Sequence, residues 1–262
     1  MNKRKGEQNM GFLEAAAENL QFLFISLVVV LAIVGVSELV ERKILKDSMT
    51  RVKKTHFLTL CAMLGALATL LHLYDFPVPF LAPDFYKLDF SEVPVMIGAF
   101  YLGPVGGVII ELVKILLKLV VKGTSTAFVG DLANFVIGCS FVVPASIVYH
   151  TKKTRKMAIA GLVSGTAVMT VFGSMFNAIY LLPAFSKLYG LPLDTLVGMG
   201  TAVNPAIDSI SMLVLLAVAP LNLLKGVLIS GLTMVLYKRV SQVLHNAAQD
   251  GLTSGQKSQM QN

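Results

Sequence analysis

Charge is scarce in this chain: 14% of its 262 residues are Asp, Glu, Lys or Arg, while 55% are hydrophobic and fall in runs too long for soluble core helices. That balance excludes an ordinary soluble domain and defines an integral membrane protein. Cysteine is nearly absent. Cys61 and Cys139 both lie inside apolar runs, where small packing side chains are expected rather than a disulfide or a metal site. No G-x-x-x-x-G-K-[ST] occurs, and the nearest glycine spacing, Gly123 to Gly130, lacks the lysine that would hold phosphates, so the chain does not hydrolyse ATP by itself. Neither an H-E-x-x-H motif nor a nucleophile-base set is present, so no catalytic residue and no metal ligand is expected. His56, His72, His150 and His245 fall at the ends of apolar runs or beyond them, which reads as interface histidines. There is no tandem repeat and no separate soluble domain.

What is present is a series of apolar spans: Leu20 to Val40, His56 to Tyr74, Pro94 to Leu102, Val105 to Val121, Val129 to Tyr149, Met157 to Leu182 and Ile207 to Tyr237. Gly103-Pro104 separates the third from the fourth and predicts a tight turn between two helices. The first run is about as long as a membrane helix needs to be and is followed by Glu38 and Glu41 rather than a small-residue cleavage site, so it is expected to be retained. Lysine and arginine resist translocation, which places the linker with Arg42, Lys43, Lys46, Arg51, Lys53 and Lys54 in the cytoplasm, and with it the loop with Lys152, Lys153, Arg155 and Lys156. The loop holding Asp75, Asp84, Asp89 and Glu92 then lies outside. Alternation gives seven spans with the C-terminus cytoplasmic and the N-terminus outside, although Lys3, Arg4 and Lys5 pull the other way. The net charge of +7 is concentrated in these cytoplasmic loops, so it implies topology and contact with anionic lipid, not nucleic acid.

Polar residues recur inside the apolar spans. Lys225 lies thirteen positions before Lys238-Arg239, which puts its ammonium roughly 20 Å from that end of a helix. A charge at such depth costs on the order of 3 kcal/mol or more, so it faces a cavity, a partner or a substrate. Asn222 lies three residues before Lys225 on the same helical face. With Asp131, Asn134 and Asn177, these positions converge on the outer half of the membrane. A ligand pocket is favoured for the set, and interhelical hydrogen bonding is the alternative for any one asparagine. Glu111 and Lys114 form an opposite-charge pair at i, i+3, read first as a neutralised structural element; lining the pocket or carrying protons are the other options. Lys118 and Lys122, one and two turns on, are expected to snorkel to the surface.

The stretch Lys87-Leu-Asp-Phe-Ser-Glu-Val-Pro94, the turn Gly103-Pro104 followed by Glu111-x-x-Lys114, the run Gly130-Asp-Leu-Ala-Asn-Phe135, and Ala219-Pro-Leu-Asn-Leu-Leu-Lys-Gly226 together resemble the riboflavin-specific substrate-binding subunit, or S component, of energy-coupling factor (ECF) transporters. The resemblance covers about Thr55 to Val240. It implies an all-α, six-helix membrane domain that captures a vitamin from outside and works with a transmembrane coupling subunit and two cytoplasmic ATPases. The vitamin is then a transported ligand, not a cofactor. The family's A-x-x-x-A motif facing the coupling subunit matches Ala62 and Ala66, whose small size permits close helix approach; packing within the protein competes with that role. The family's ligand-contacting polar positions resemble Asn177, Asn222 and Lys225, with Asn134 a fourth. For riboflavin, asparagine amides and the ammonium suit the ring acceptors, while Asp84, Tyr86, Lys87 and Asp89 of the first outer loop suit the ribityl hydroxyls. Phe80 and Phe85 either shield the ligand or anchor that loop.

Three features depart from the family pattern. The first span lies outside the six-helix core, the segment from Pro183 to Pro205 is longer than usual and reads as a second lid, and Leu221 stands where phenylalanine is common. The expected organisation is an extra helix with a basic linker over 1–54, the substrate-binding domain over 55–240 and a polar cytoplasmic tail over 241–262, in the cell membrane of a prokaryote. Two other readings stand beside this one. One is an S component for a different vitamin or cofactor precursor; the other is a stand-alone proton-coupled carrier using Glu111 and Lys114.

Overall fold

The computed structural model describes residues 26–46, 53–124 and 126–237. The basic N-terminal residues, Arg51, the Lys238-Arg239 pair, His245 and the polar tail lie outside the described residues. The fold is helical: α1 (residues 26–43), α2 (Lys54–Leu73), α3 (Glu92–Leu102), α4 (Pro104–Lys122), α5 (Val129–His150) and α6 (Arg155–Phe176), followed by α7 (Leu182–Tyr189), α8 (Leu193–Val203), α9 (Ile210–Leu213) and α10 (residues 219–237). A two-residue hairpin, β1 (Phe76–Pro77) with β2 (Lys87–Leu88), ties the loop between α2 and α3, with Phe76 opposite Leu88. Among the described residues, four helical stretches are long and apolar enough to cross a membrane: Lys54–Leu73, Val129–His150, Arg155–Tyr189 and Ile210–Tyr237.

The break between α3 and α4 falls at Gly103, whose φ of 99° lies in the region that favours glycine, and Pro104 then opens α4, where a missing N–H costs nothing. Val105 is another first-turn residue with an N–H to satisfy. It donates to Glu41 Oε1 of α1 at 2.7 Å. Val29, Val30, Ile33 and Val34 of the same helix pack on the α4–α5 cluster around Val108, Ile115 and Phe135, so α1 is seated on the core by both a cap and an apolar face.

Two five-residue π turns interrupt the long helices, Asn177–Leu181 and Val214–Val218. Each is followed by one residue and then a proline, Leu182-Pro183 and Ala219-Pro220. Leu182 N donates to Asn177 O and Ala219 N to Val214 O, so the chain takes a wide turn just where the next residue lacks a donor. This corrects the expected end of the sixth span at Leu182. The helix runs on to Tyr189, and the Pro183–Pro205 segment is built of two helices. In α8, Leu196, Val197 and Gly200 are buried, and a methyl on Gly200 would meet Leu213 Cδ1 at 2.6 Å.

Candidate functional site

A cavity of about 310 Å³ opens among α5, the two π turns, α7, α10 and the 74–91 loop. That is at the small end of the range for small-molecule sites, roughly 300–1,000 Å³. Its apolar wall comes from one buried cluster that includes Leu88, Ala133, Leu181, Val218 and Leu221. Aromatic rings close one side. Phe85 lies 4.5 Å from Tyr86 and meets Phe185 edge-on at 6.5 Å, and Phe185 leads to Tyr189 at 5.7 Å, measured between ring centroids.

Asn134, Asn177, Asn222, Lys225, Tyr86, Lys87 and Asp89 all line this cavity. Asn177, 2% exposed, sits at the start of the first π turn; its Nδ2 donates to Gly173 O at 2.7 Å and its Oδ1 accepts from Tyr86 Oη at 3.0 Å. Asn222 packs where Gly173 leaves room: a methyl there would lie 2.9 Å from Asn222 Nδ2. That amide nitrogen is buried and has no hydrogen-bond partner among the described residues, a donor free for a ligand acceptor. Asn134 Nδ2 makes one longer bond, to Gly130 O at 3.3 Å. Lys225 Nζ lies 3.2 Å from Asp89 Oδ2 and 3.1 Å from Glu92 Oε2, so its charge is matched on the protein side while it still faces the cavity. Burial pushes the Asp89 carboxyl up, but the Lys225 ammonium, with His72 and Lys114 behind it, brings it well below the usual carboxylate range and keeps it ionised.

Asp84 is not among the lining residues. It is exposed, because in the 83–86 turn it is Phe85 and Tyr86 that face the cavity. Phe80, 81% exposed, shields nothing, whereas Phe85 is part of the wall. Glu111 and Lys114 pair with each other, both fully buried, but lie behind the wall; Lys114 also reaches Glu92 Oε1 at 3.4 Å and Ser91 Oγ at 3.2 Å. Ala62 and Ala66 are exposed on α2, flanked by exposed Leu58, Met63, Leu67 and Leu70, while Gly65 on the other face packs against Val113.

Several lining residues escaped the sequence reading. Lys118 does not snorkel: it donates to Asp131 Oδ1 at 2.6 Å and to Gly123 O at 2.9 Å, within the cavity wall. Lys122 and Lys87 share Asp75, at 3.2 and 3.4 Å. His72 and His150 are buried within the protein. His72 Nδ1 lies 3.4 Å from Asp89 Oδ2 beside the cavity, and His150 Nδ1 lies 2.9 Å from Ser146 O. Phe185 and Tyr189 join the wall because α7 continues the helix past Pro183. Each cavity lysine has a carboxylate within 3.5 Å, and that need for a counter-charge was the available signal for Glu92 and Asp75 and for the pairing of Lys118 with Asp131.

Long apolar helices around a cavity lined by both polar and apolar side chains define a membrane protein able to hold a small molecule. Residues 56–237 match the family described as ECF transporter, substrate-specific component. The riboflavin transporter RibU of Staphylococcus aureus is 34% identical over 183 residues, 70% of this chain and 89% of that protein. The riboflavin transporter FmnP of Bacillus subtilis is 33% identical over 181 residues, 69% and 87% of the two chains. A solved structure of the S component of a bacterial ECF transporter superposes with a TM-score of 0.58 at 34% identity, covering 73% of this chain and 99% of that one. The chain belongs to the substrate-specific components of ECF transporters: a prokaryotic membrane protein, the substrate-binding subunit of an importer and not an enzyme.

Proposed function

We propose that this chain captures riboflavin or a closely related flavin from outside the cell and delivers it by associating with a transmembrane coupling subunit and two cytoplasmic ATPases. One observation carries the ligand assignment: three asparagines and a lysine from three separate stretches of helix converge on a cavity of about 310 Å³ that is walled on one side by aromatic rings. Flat apolar walls suit the isoalloxazine system, Asn222 Nδ2 and Lys225 Nζ offer donors to its carbonyl and ring-nitrogen acceptors, and Asn134 with the Lys118–Asp131 pair offers mixed partners to a polyol chain. The names of the relatives point the same way. Exposure of Ala62 and Ala66 among large apolar side chains supports α2 as the face that meets the coupling subunit. In this reading the acidic 74–91 loop is extracellular, the C-terminus is cytoplasmic, and the domain over 55–240 is the transport unit.

Purified protein should carry a yellow ligand or quench riboflavin fluorescence at nanomolar to micromolar concentration. Lys225→Ala and Asn177→Ala should each weaken binding by about tenfold or more, the worth of one buried or charge-assisted hydrogen bond. Unchanged affinity in both variants refutes the site. Mass spectrometry of the co-purified small molecule separates a flavin from any other vitamin.

A further inference from the structure

A chain of charge runs from the cavity wall to the residues behind it, and ligand contact alone does not explain it. Asp89, Glu92 and Glu111 supply three buried carboxylates, Lys114 a buried ammonium and Lys225 one that is 13% exposed. Glu92 is the hinge of this array. Its Oε2 lies 3.1 Å from Lys225 Nζ and its Oε1 3.4 Å from Lys114 Nζ, so one carboxylate is shared between a lysine that faces the cavity and a lysine that does not. Ser91 secures the arrangement: its Oγ lies 3.1 Å from Glu92 Oε2 and 3.2 Å from Lys114 Nζ, and its N–H donates to Asp89 Oδ1 at 2.8 Å. Thr69 Oγ1 bonds the Lys114 carbonyl at 3.2 Å. The backbone that carries Lys114 is thereby tied to α2 as well.

A long flexible ammonium facing a cavity recognises a ligand acceptor well only if its position is held before the ligand arrives. Two anions hold Lys225, and one of them is held in turn by Lys114. We propose that Lys114 is a positioning residue for ligand recognition: by fixing Glu92 Oε1 it keeps Oε2 where, together with Asp89, it aims the Lys225 ammonium into the cavity. The inference rests on the flavin-binding reading above and adds to it a residue that touches no ligand. Without Lys114, Glu92 has Lys225 as its remaining cation and draws it back from the cavity.

Removing one partner of a buried pair strands a charge, so the test removes both: Glu111→Gln with Lys114→Met keeps the net charge of the site. Riboflavin affinity of the full chain in detergent is measured by fluorescence quenching for this double variant, with Lys225 intact and again in a Lys225→Ala background. We expect about a tenfold loss in the first case and less than about twofold further loss in the second, because a residue acting through Lys225 has nothing left to act on. Equal losses in the two backgrounds, as a packing role gives, overturn the proposal; so does unchanged affinity with Lys225 present. Absence of riboflavin binding in the unsubstituted protein overturns the flavin reading and this inference together, whereas normal binding that ignores the double variant overturns this inference alone. Glu111→Leu with Lys114→Leu carries the same comparison if the first pair does not fold.

Discussion

Gly138→Ala sets two effects of opposite sign against each other in the same molecule. Replacing a helical glycine by alanine ordinarily stabilises by about 0.4–1 kcal/mol, chiefly by restricting the unfolded chain. At position 138, however, the new methyl would lie 2.4 Å from Glu111 Oε1 and 2.8 Å from its Cδ, about 1 Å inside ordinary contact. The obstruction is the end of a side chain, which elsewhere moves aside at little cost, but Glu111 is fully buried and paired with Lys114. Overpacking costs about 1–3 kcal/mol and disruption of a buried ion pair up to about 3–5 kcal/mol, so the clash wins by about 2 kcal/mol or more. For a chain of this size, that is a fall in melting temperature of about 4–8 °C or more. Cys61 and Cys139 are free and buried, so a thiol-reactive dye in detergent reports unfolding directly. Gly231→Ala is the control: nothing lies within 4 Å of the added methyl, and the melting temperature should hold or rise slightly. If Gly138→Ala melts no lower than Gly231→Ala, the tight seat for the Glu111–Lys114 pair is wrong.

Two further outcomes follow from the same geometry. Glu41→Ala removes the carboxylate that caps Val105 and a negative charge from the α4 N-terminus, worth about 1–2 kcal/mol together; the dye assay should show a drop of about 2–8 °C, and no drop would mean that α1 is not seated on the core. Gly173→Ala pushes a methyl to 2.9 Å from Asn222 Nδ2, displacing that amide by about half an ångström, and should weaken riboflavin binding by about two- to tenfold while sparing the fold; full affinity would show that Asn222 does not address the ligand.

The existence of the spans and the break at Gly103 were legible in the chain because hydropathy and proline chemistry act locally. The convergence of Asn222 with Lys225 was legible for the same reason, since three residues on a helix share a face. Asn177 and Asn134 came into the set through resemblance and shared depth. Lys118 was misjudged because depth alone was weighed: one turn past Lys114 on the same face of α4, it meets Asp131 of α5, and sequence gives no distance between helices. Glu92 and His72 were missed for a related reason: Glu92 was read as part of the outer loop and His72 as the end of a span, whereas both are buried beside the cavity. Asp84 was assigned with the rest of the first outer loop, but in the 83–86 turn Phe85 and Tyr86 face the cavity and Asp84 takes the exposed position.

The two π turns explain why periodicity read straight through a span misplaces its polar face. From Val218 onward the cavity face of α10 recurs with helical spacing: Val218, Leu221, Asn222 and Lys225. Carried back through an unbroken α-helix, that face would include Leu215, seven residues before Asn222, and Ser211 one turn earlier. Both are exposed, Leu215 by 61%, and the buried positions are Leu213, just ahead of the turn, and Ala217, within it. The inner face thus shifts by one residue across Val214–Val218, as a single inserted residue in a helix with about 100° between neighbours requires. Pro220 accounts for where the shift sits: it has no N–H to return to the preceding turn, so the wide turn is placed where an α-helical hydrogen bond is already missing. Pro183 does the same for the helix that carries Asn177. In both long helices, then, a proline two residues past a π turn goes with the rotation that leaves an asparagine in the cavity wall, and a reading that treats the proline as the end of a helix loses both the extra turns and the aromatic wall they supply.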